Sequence, residues 1–254
     1  MNIFYKSLRL CLALLCLTAC PKKPKEVGST LVMLTAADNP PFEYYETGGD
    51  SNKVVGYDID LANKIAEYLG YKLEVQDVDF SGIIPGVMHG RGDFVMASLS
   101  PTAERKKSVD FSNTYYSSRD VMVTKADSDF AKRQDYTGTT VGAQLGTTQE
   151  QAAKIWIAAH PGAKLTAVNK LGDLIQEVLA GRVDAAIIEE TLADAYLKNN
   201  ERTLVVTPLR EATGEGSAIA FPQNSPLREK FNEALQHLKK IGFMDELAAK
   251  WLKK

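Results

Sequence analysis

The segment DIDLANKIAEYLGYKLEVQDV, residues 58–78, changes its hydrophobic periodicity at Gly70. Asp58 and Asp60 mark the start of a helical pattern, in which apolar residues recur every three or four positions. Those apolar residues are Ile59, Ala62, Ile65, Ala66 and Leu69. Gly70 ends the helix, and residues 72–78 then alternate between polar and apolar side chains as a half-buried strand does. The segment therefore predicts a helix followed directly by a strand, which is the repeating unit of an α/β fold.

The same alternation continues on both sides of this segment. Further strands are predicted at residues 30–35, 93–98, 121–124, 140–143 and 183–188. Further helices are predicted at residues 82–90, 148–159, 171–180 and 226–242. Strands that alternate with helices favour mostly parallel sheets covered on both faces, and two such cycles indicate two lobes. In open sheets of this kind a ligand lies beyond the carboxyl ends of the strands.

Two of the helices carry explicit start signals. Thr147 and Glu150 have the spacing of a capping box, in which the hydroxyl and the carboxylate satisfy free backbone N–H groups. Ser225 and Pro226 are predicted as the N-cap and the first position of the C-terminal helix.

The composition is that of a folded protein with no electrostatic preference for nucleic acid. The chain has 254 residues, of which 44% are hydrophobic and 24% charged, which fits one large or two smaller domains. Its formal charge of −2 lacks the basic excess that nucleic-acid binding requires.

The first twenty residues have the order of an export signal. Lys6 and Arg9 precede an apolar run at residues 10–17, which is too short to span a bilayer. The run ends in the sequence LTAC, residues 17–20, which resembles the bacterial lipobox. We therefore expect residues 1–19 to be a lipoprotein signal peptide and Cys20 to carry the acyl chains, such as palmitate. The alternative is an ordinary signal peptide that happens to contain a cysteine.

Removal of residues 1–19 changes the cysteine count and the charge. Cys11 and Cys16 leave with the signal, so the mature chain has no pair of free thiols for a disulfide. The mature chain keeps 28 basic and 32 acidic residues. Residues 20–29 form a lipidated cysteine and a flexible tether, and two acyl chains suffice for stable membrane anchoring. The expected location is the periplasm or the outer face of the cell membrane.

Several kinds of chemistry have no support in the sequence. His89, His160 and His237 lie about 70 to 80 positions apart, and neither an HExxH pair nor a zinc-like cysteine spacing is present. A nucleophile elbow and a phosphate-binding Walker loop are also absent from the sequence. We therefore expect no metal, no cofactor and no catalytic residues, that is, a protein that is not an enzyme.

The positive signals lie at the predicted strand ends. Ser98, Ser100 and Arg105 place hydroxyls and a guanidinium just after a strand, and a guanidinium can grip a carboxylate with two parallel N–H bonds. Thr147 and Thr148 offer hydroxyls and free N–H groups to an anion at a helix N-terminus. The alternatives are a surface arginine paired with a helical acid, and plain helix capping.

Three more residues complete this pattern. Glu189 ends a strand, where its carboxylate could meet an ammonium group or simply precede the next helix. Phe42 and Phe80 follow strands and are either platforms for a ligand or local core. An anion-binding group on one side and a carboxylate on the other suit a zwitterion.

Ordered motifs along the chain resemble one family, the amino-acid-binding proteins of bacterial ABC importers (solute-binding family 3). The resemblance covers residues 30–252, and its clearest motifs are residues 40–44 (PPFEY), 56–62 (GYDIDLA), 79–85 (DFSGIIP) and 102–112 (TAERKKSVDFS). Residues 141–150, 181–186 and 227–251 continue it.

The resemblance implies a periplasmic-binding-protein-like α/β fold, with two α/β lobes joined by a two-segment hinge and the ligand in the cleft. By position, the first lobe comprises residues 28–115 plus 217–254 and the second residues 120–213. The hinge crossings fall near residues 116–119 and 211–216. The family also implies a monomer that gives a free L-amino acid to the permease subunits of an ABC importer.

The resemblance also implies roles for individual residues. Arg105 would clamp the ligand carboxylate, with help from the backbone N–H groups of Ser100 and Thr148. Ser98 and Glu189 would receive the α-ammonium group. Two further residues would meet the ligand side chain, namely Phe80 against its length and Gln144 near its far end.

Three departures from the family pattern bear on the ligand. Glu189 stands where relatives usually have Asp, and Asn39 stands where they usually have an aromatic residue. Ala36 occupies a position that is often acidic in relatives that bind basic ligands. Together with Gln144, these departures slightly favour an amino acid with a polar, uncharged side chain.

Two other functions remain open from the sequence. The first is an enzyme similar to the cyclohexadienyl dehydratases that resemble this family, with Glu189 as a general acid. The second is an amino-acid sensor or adhesin that does not take part in transport, because a fold does not fix a function.

Overall fold

Two five-stranded sheets, each with helices on both faces, form the two lobes of the molecule. The structure is a computed structural model, and it describes residues 25–46, 53–200, 204–209 and 216–252. The two α/β lobes predicted from the sequence are therefore present.

The first lobe is built on the sheet with strand order β5-β1-β6-β13-β7. Its strands are β1 (Thr30–Thr35), β5 (Lys72–Asp77), β6 (Phe94–Val95), β7 (Val109–Phe111) and β13 (Ala220–Pro222). Its helices are α1 (Tyr57–Tyr68), α2 (Ile83–Met88), α6 (Leu227–Lys240) and α7 (Phe243–Trp251). One face packs on α1 and α6 through side chains such as Leu31 and Phe231, and the other packs on α2 through Leu34 and Val87. A small sheet of β2 (Asp38–Asn39), β3 (Glu43–Tyr45) and β4 (Val54–Val55) lies beside α1.

The second lobe is built on the sheet with strand order β10-β9-β11-β8-β12. Its strands are β8 (Asp120–Lys125), β9 (Thr140–Gln144), β10 (Lys164–Val168), β11 (Ala185–Glu189) and β12 (Leu204–Pro208). Its helices are α3 (Thr148–Ala159), α4 (Leu171–Leu179) and α5 (Glu190–Asn200). Leu174 and Ile188 belong to the core between the sheet and α4, whereas Ala153 and Ile187 belong to the core on the α3 side.

Both sheets are mixed, which corrects the expectation of mostly parallel sheets. In the first lobe, β13 runs antiparallel to β6 and β7. In the second lobe, β8 runs antiparallel to β11 and β12. These antiparallel strands adjoin the parts of the chain that pass between lobes, so they enter their sheets from the opposite direction to the βα units.

Most predicted elements are present, with shifted ends. The strand predicted at residues 93–98 is only Phe94–Val95, and Ser98 has a left-handed φ of 49°, which is incompatible with a continuing strand. The helix predicted at residues 82–90 is Ile83–Met88. Helix α6 begins one residue later than predicted, with Pro226 as its N-cap. Helix α1 begins at Tyr57, so Asp58 lies inside its first turn.

Part of the sequence interpretation falls outside the described residues. The signal peptide (1–19), Cys20 and the start of the tether lie before residue 25, and most of the predicted crossing at residues 211–216 also lies outside. At the other crossing, Tyr116 pairs with Ser217 as an isolated antiparallel bridge. The lobe boundaries stay predictions. Within the described ranges, none of the helices is long and apolar enough to cross a membrane.

Candidate functional site

A cavity of about 40 Å³ lies between the two lobes, at the ends of their central strands. The first lobe lines it with Asp38, Asn39, Glu43, Phe80, Ala97, Ser98, Ser100 and Arg105. The second lobe lines it with Gln144, Thr147, Thr148, Gln149, Leu171, Ile187, Ile188, Glu189 and Leu192.

Arg105 forms one end of the cavity. Its Nη1 donates to the Ser100 carbonyl at 2.8 Å, and its Nη2 donates to the Gly146 carbonyl of the other lobe at 3.0 Å. The guanidinium carbon lies 5.6 Å from the centre of the Phe80 ring. Burial lowers the pKa of Arg105 to about 10, so the group remains a cation at neutral pH. A guanidinium has five N–H groups, and those not used by the two carbonyls can bind a carboxylate.

The N-terminus of helix α3 lies at the same end. The Thr147 hydroxyl oxygen accepts from the Glu150 N–H at 3.1 Å and caps the helix, as the capping-box spacing predicts. The Glu150 carboxylate accepts instead from the N–H of Gly146, at 2.8 Å. The cap leaves the N–H groups of Thr148 and Gln149 without an acceptor inside the helix. This end of the cavity therefore offers a cation together with uncapped backbone donors.

Glu189 ends strand β11 on the second lobe. Its Oε2 is buried and has no hydrogen-bond partner among the described residues. Burial, together with the nearby carboxylates of Asp120 and Asp58, raises the pKa of Glu189 to about 8. Such a carboxyl group is poorly solvated when ionised, and a cation beside it would favour its charged form.

Asp38 reaches across the cavity from the first lobe. Its Oδ2 accepts from Gln144 Nε2 and from the Leu171 N–H, each at 3.0 Å. Its Oδ1 is buried and has no partner among the residues described. Burial raises the pKa of Asp38 to about 6, although the Leu171 N–H and the charge of Lys170 oppose the rise.

Glu43 and Asp58 form a buried pair of carboxyl groups. Glu43 Oε1 accepts from Asn39 Nδ2 at 3.0 Å, and Asp58 Oδ2 accepts from the Ser98 N–H at 3.0 Å and the Tyr115 hydroxyl at 2.7 Å. The remaining oxygen of each carboxyl has no partner in the described part of the chain. Burial and the neighbouring Asp58 raise the pKa of Glu43 well above its ordinary value, and burial raises that of Asp58 to about 6. Like charges this close favour a single proton held by the pair.

Nine of the ten predicted ligand-binding residues line this cavity: Asn39, Phe80, Ser98, Ser100, Arg105, Gln144, Thr147, Thr148 and Glu189. Phe42 does not line it. Its ring is fully buried and packs 4.9 Å from that of Tyr116 and 5.9 Å from that of Tyr57, so its position corrects the interpretation of Phe42 as a ligand platform.

The sequence interpretation missed Asp38 and Glu43. Both acids flank the Pro40–Pro41 pair, a proline-containing loop after a buried strand, and that is the signal that could have found them. The sequence interpretation counted Ala36 as slight evidence against a basic ligand, but Ala36 is only 1% exposed and does not line the cavity.

The cavity has no metal-like arrangement in the described residues, where no group of three or more His, Cys, Asp and Glu side chains could hold an ion. Its two ends are instead opposite in charge, with Arg105 at one end and carboxyl groups elsewhere. Such an arrangement is chemically suited to a small molecule that carries both signs of charge.

Comparison with known proteins gives one consistent result. The model of the bacterial extracellular solute-binding proteins, family 3, matches residues 31–254. The arginine-binding extracellular protein ArtP of Bacillus subtilis (strain 168) is 42% identical over 239 residues, which cover 92% of each chain.

Solved structures agree. The crystal structure of the substrate binding protein of an amino acid ABC transporter matches with a TM-score of 0.81 and 43% identity, covering 89% of this chain and 100% of that one. An ancestral arginine-binding protein bound to arginine matches with a TM-score of 0.82 and 37% identity, covering 90% and 100%. These likenesses confirm the periplasmic-binding-protein-like fold, and the proteins they name are binding proteins.

Proposed function

This chain belongs to the bacterial extracellular solute-binding proteins of family 3, and from that premise we propose that it captures a free L-amino acid with a cationic side chain, such as arginine, for an ABC importer. The observation that carries the proposal is the charge of the cavity. Arg105 is its one cationic side chain among the lining residues, whereas Asp38, Glu43 and Glu189 contribute three carboxyl groups.

The Arg105 end suits the α-carboxylate of an amino acid. Arg105, Thr148 and Gln149 line the same cavity, and a carboxylate bound there could accept from the unused guanidinium N–H groups and the uncapped backbone N–H groups. Glu189 and Ser98 also line the cavity and suit the α-ammonium group, as the family resemblance implies.

A zwitterion leaves two of the three lining carboxyl groups unmatched. Asp38 keeps one buried oxygen without a partner in the described residues, and Glu43 has at that side only the proton that it shares with Asp58. A buried acceptor that lacks a donor is costly. A guanidinium or ammonium at the end of the ligand side chain would supply the missing donors and the missing charge. A neutral side chain would supply donors without the charge.

The two amides that favoured a polar, uncharged ligand in the sequence serve another purpose. Asn39 Nδ2 donates to Glu43, and Gln144 Nε2 donates to Asp38 and to the Asn169 carbonyl. Since the N–H groups of these two amides hold the carboxyl groups of Glu43 and Asp38 in place, they are consistent with a site that binds a cationic side chain. The names of ArtP and of the ancestral arginine-binding protein favour the same ligand class.

A thermal-shift comparison of arginine with citrulline tests the charge. Citrulline has nearly the shape of arginine but a neutral urea group, so arginine is expected to bind at least ten times more tightly. A ligand at 100 times its dissociation constant stabilises the folded state by about 2.7 kcal/mol, which is easily seen in such a screen. A larger shift with citrulline or glutamine than with arginine would contradict the proposal.

Delivery from a membrane anchor is the second part of the proposal. Family membership supports export, and the lipobox at residues 17–20 supports acylation of Cys20. The variant Cys20→Ser is expected to leave the membrane fraction and appear in the soluble one. Unchanged membrane partitioning would refute the anchor, and normal arginine uptake in a deletion strain would favour the sensor function.

One observation favours an enzymatic function, namely the pKa of about 8 of Glu189, which suits a general acid. A dehydratase needs a group of this kind beside a substrate carboxylate held by Arg105. An assay with prephenate tests it. We expect no turnover, whereas turnover that disappears in Glu189→Gln would replace the binding function by catalysis.

A further inference from the structure

Asp38 joins the two lobes at the acidic side of the cavity. It lies on strand β2 of the first lobe, and both donors to its Oδ2 belong to the second lobe: the Gln144 side chain at the end of β9 and the N–H of Leu171. The partners are separated from it by 106 and 133 positions in the sequence. Such bonds exist only when the lobes are close together.

Helix α4 depends on this contact for its N-terminal cap. Its own N-cap residue, Lys170, makes no side-chain cap hydrogen bond, and Leu171 is the first residue of the helix. The N–H groups of a first helical turn need an acceptor, and a carboxylate is favoured there by the helix dipole. Asp38 therefore supplies from one lobe the cap that the other lobe lacks.

The two carboxylate oxygens of Asp38 differ in their hydrogen-bond partners. Oδ2 holds Gln144 and Leu171, while the buried Oδ1 has no partner among the residues that the structure describes, in a side chain that lines the cavity. We propose that Asp38 is a positioning residue that couples recognition of the ligand's positive side chain to lobe closure, with Oδ1 facing the cation and Oδ2 capping helix α4. The identity of the cation rests on the proposed function. The capping of helix α4 by Asp38 does not depend on it.

The charges around Asp38 decide whether its carboxylate is ionised. Lys170 on the second lobe favours the charged form, and Asp77, Asp79 and Glu43 on the first lobe oppose it. Tyr196 of helix α5 also faces it. Burial is the largest influence and outweighs the effect of Lys170, so the pKa of Asp38 is raised to about 6. Protonation below that pH weakens both cross-lobe bonds, whereas a bound cation keeps the carboxylate charged.

Ligand dissociation rates measure the coupling. In Asp38→Asn, the dissociation rate of arginine is expected to rise by about ten- to a hundredfold with the association rate changed less than threefold, since closure slows escape more than entry. In the wild type the affinity for arginine is expected to fall as the pH falls from 7 to 5, because protons compete with the cation of the ligand for Asp38, and in Asp38→Asn it is expected to fall less over that range. The control is Asp79→Asn, which removes a more exposed cross-lobe ion pair with Lys170 (3.1 Å) and is expected to change the rate less than threefold.

A second pair of variants tests the capping of helix α4 by Asp38 without changing the charge of Asp38. Leu171→Pro removes the N–H that Asp38 accepts, at a helix position where proline is tolerated and after a residue that is already extended. Leu171→Ala trims the side chain and keeps the N–H. Proline is expected to raise the dissociation rate at least fivefold above that of alanine, and equal rates for the two would overturn the cap.

Small-angle scattering of the ligand-free protein separates this inference from the proposed function. If Asp38→Asn and Leu171→Pro expand the ligand-free protein relative to the wild type and Leu171→Ala, the cap holds whichever amino acid binds. Unchanged scattering together with unchanged dissociation rates would overturn it. If instead arginine and citrulline leave at the same rate in both wild type and Asp38→Asn, the cation coupling fails while the cap stands.

Discussion

The two ends of the cavity differ in how well the protein satisfies its own polar groups. At the Arg105 end, the guanidinium already donates to two carbonyls and stacks near Phe80, and the Thr147 hydroxyl caps helix α3. At the acidic end, Asp38, Glu43 and Glu189 each keep a buried oxygen without a partner in the described residues.

This difference assigns separate tasks to the two ends. The Arg105 end is held in place by bonds that do not involve a ligand, so it is ready for any amino-acid carboxylate. The acidic end holds ionisable groups at raised pKa values, a condition that a cation relieves. In the proposed function, Arg105 and Glu189 would bind the α-carboxylate and α-ammonium groups that all amino acids share, and Asp38 and Glu43 would select the side chain.

The largest expected effect comes from the Arg105 end. Arg105→Lys keeps a positive charge but loses the planar fork, so a bidentate carboxylate loses two charge-assisted bonds. At about 1.5 to 3 kcal/mol for each such bond, the loss is about 3 to 6 kcal/mol of binding free energy. Calorimetry with arginine measures it, and Arg182→Lys, an exposed arginine of the second lobe paired with Glu177, serves as the control. Retained binding in Arg105→Lys would remove the carboxylate role from Arg105.

The next effect is a pH dependence of stability at the acidic end. Because burial raises the pKa of Glu189 from its ordinary 4.5 to about 8, the folded ligand-free protein binds more protons than the unfolded chain between these two pH values. Its stability is then expected to fall as the pH rises through this window, by about 4 kcal/mol for this group. Asp38, Glu43 and Asp58 add to the same slope.

Urea unfolding of the ligand-free protein at pH 5 and pH 8 checks this slope. Glu189→Gln cannot ionise, so it is expected to match the wild type at pH 5 and to exceed its free energy of unfolding at pH 8. An equal fall with pH in both proteins would show that Glu189 does not carry the slope.

A smaller effect distinguishes the ligand side chains. Glu43→Gln removes a carboxylate that can pair with a cationic side chain and is expected to weaken arginine binding by about 1.5 to 3 kcal/mol. Citrulline binding should change little, because its neutral urea group gains nothing from the charge. The same loss for both ligands would mean that Glu43 supports the fold of the pocket and does not select charge. Glu67→Gln, on the exposed face of α1, is the matched control.

The same comparison explains how much of the site the sequence could predict. Arg105, Thr147 and Thr148 belong to short local patterns, a hydroxyl-rich loop after a strand and a helix start, so their positions follow from neighbouring residues. The acidic end is assembled from distant parts of the chain: Asp38 meets Gln144 and Leu171, and Asp58 meets Ser98. A single sequence contains no sign of these pairings. The antiparallel placement of β13 and the inward turn of the Phe42 ring were missed for the same reason.

The smallest effect tests whether the Arg105 end is held by its own bonds. Thr147→Ala removes the cap of helix α3 and leaves the Glu150 N–H unsatisfied, which is expected to cost about 1 kcal/mol of stability, or about 2 to 4 °C in Tm. Thr147→Ser keeps the hydroxyl and should stay within about half of that loss. Arginine affinity is expected to change less than threefold, since Arg105 keeps both of its carbonyl partners. An affinity loss of a hundredfold in Thr147→Ala without one in Thr147→Ser would mean that the hydroxyl itself binds the ligand. The Arg105 end would then be, like the acidic end, completed only by the amino acid.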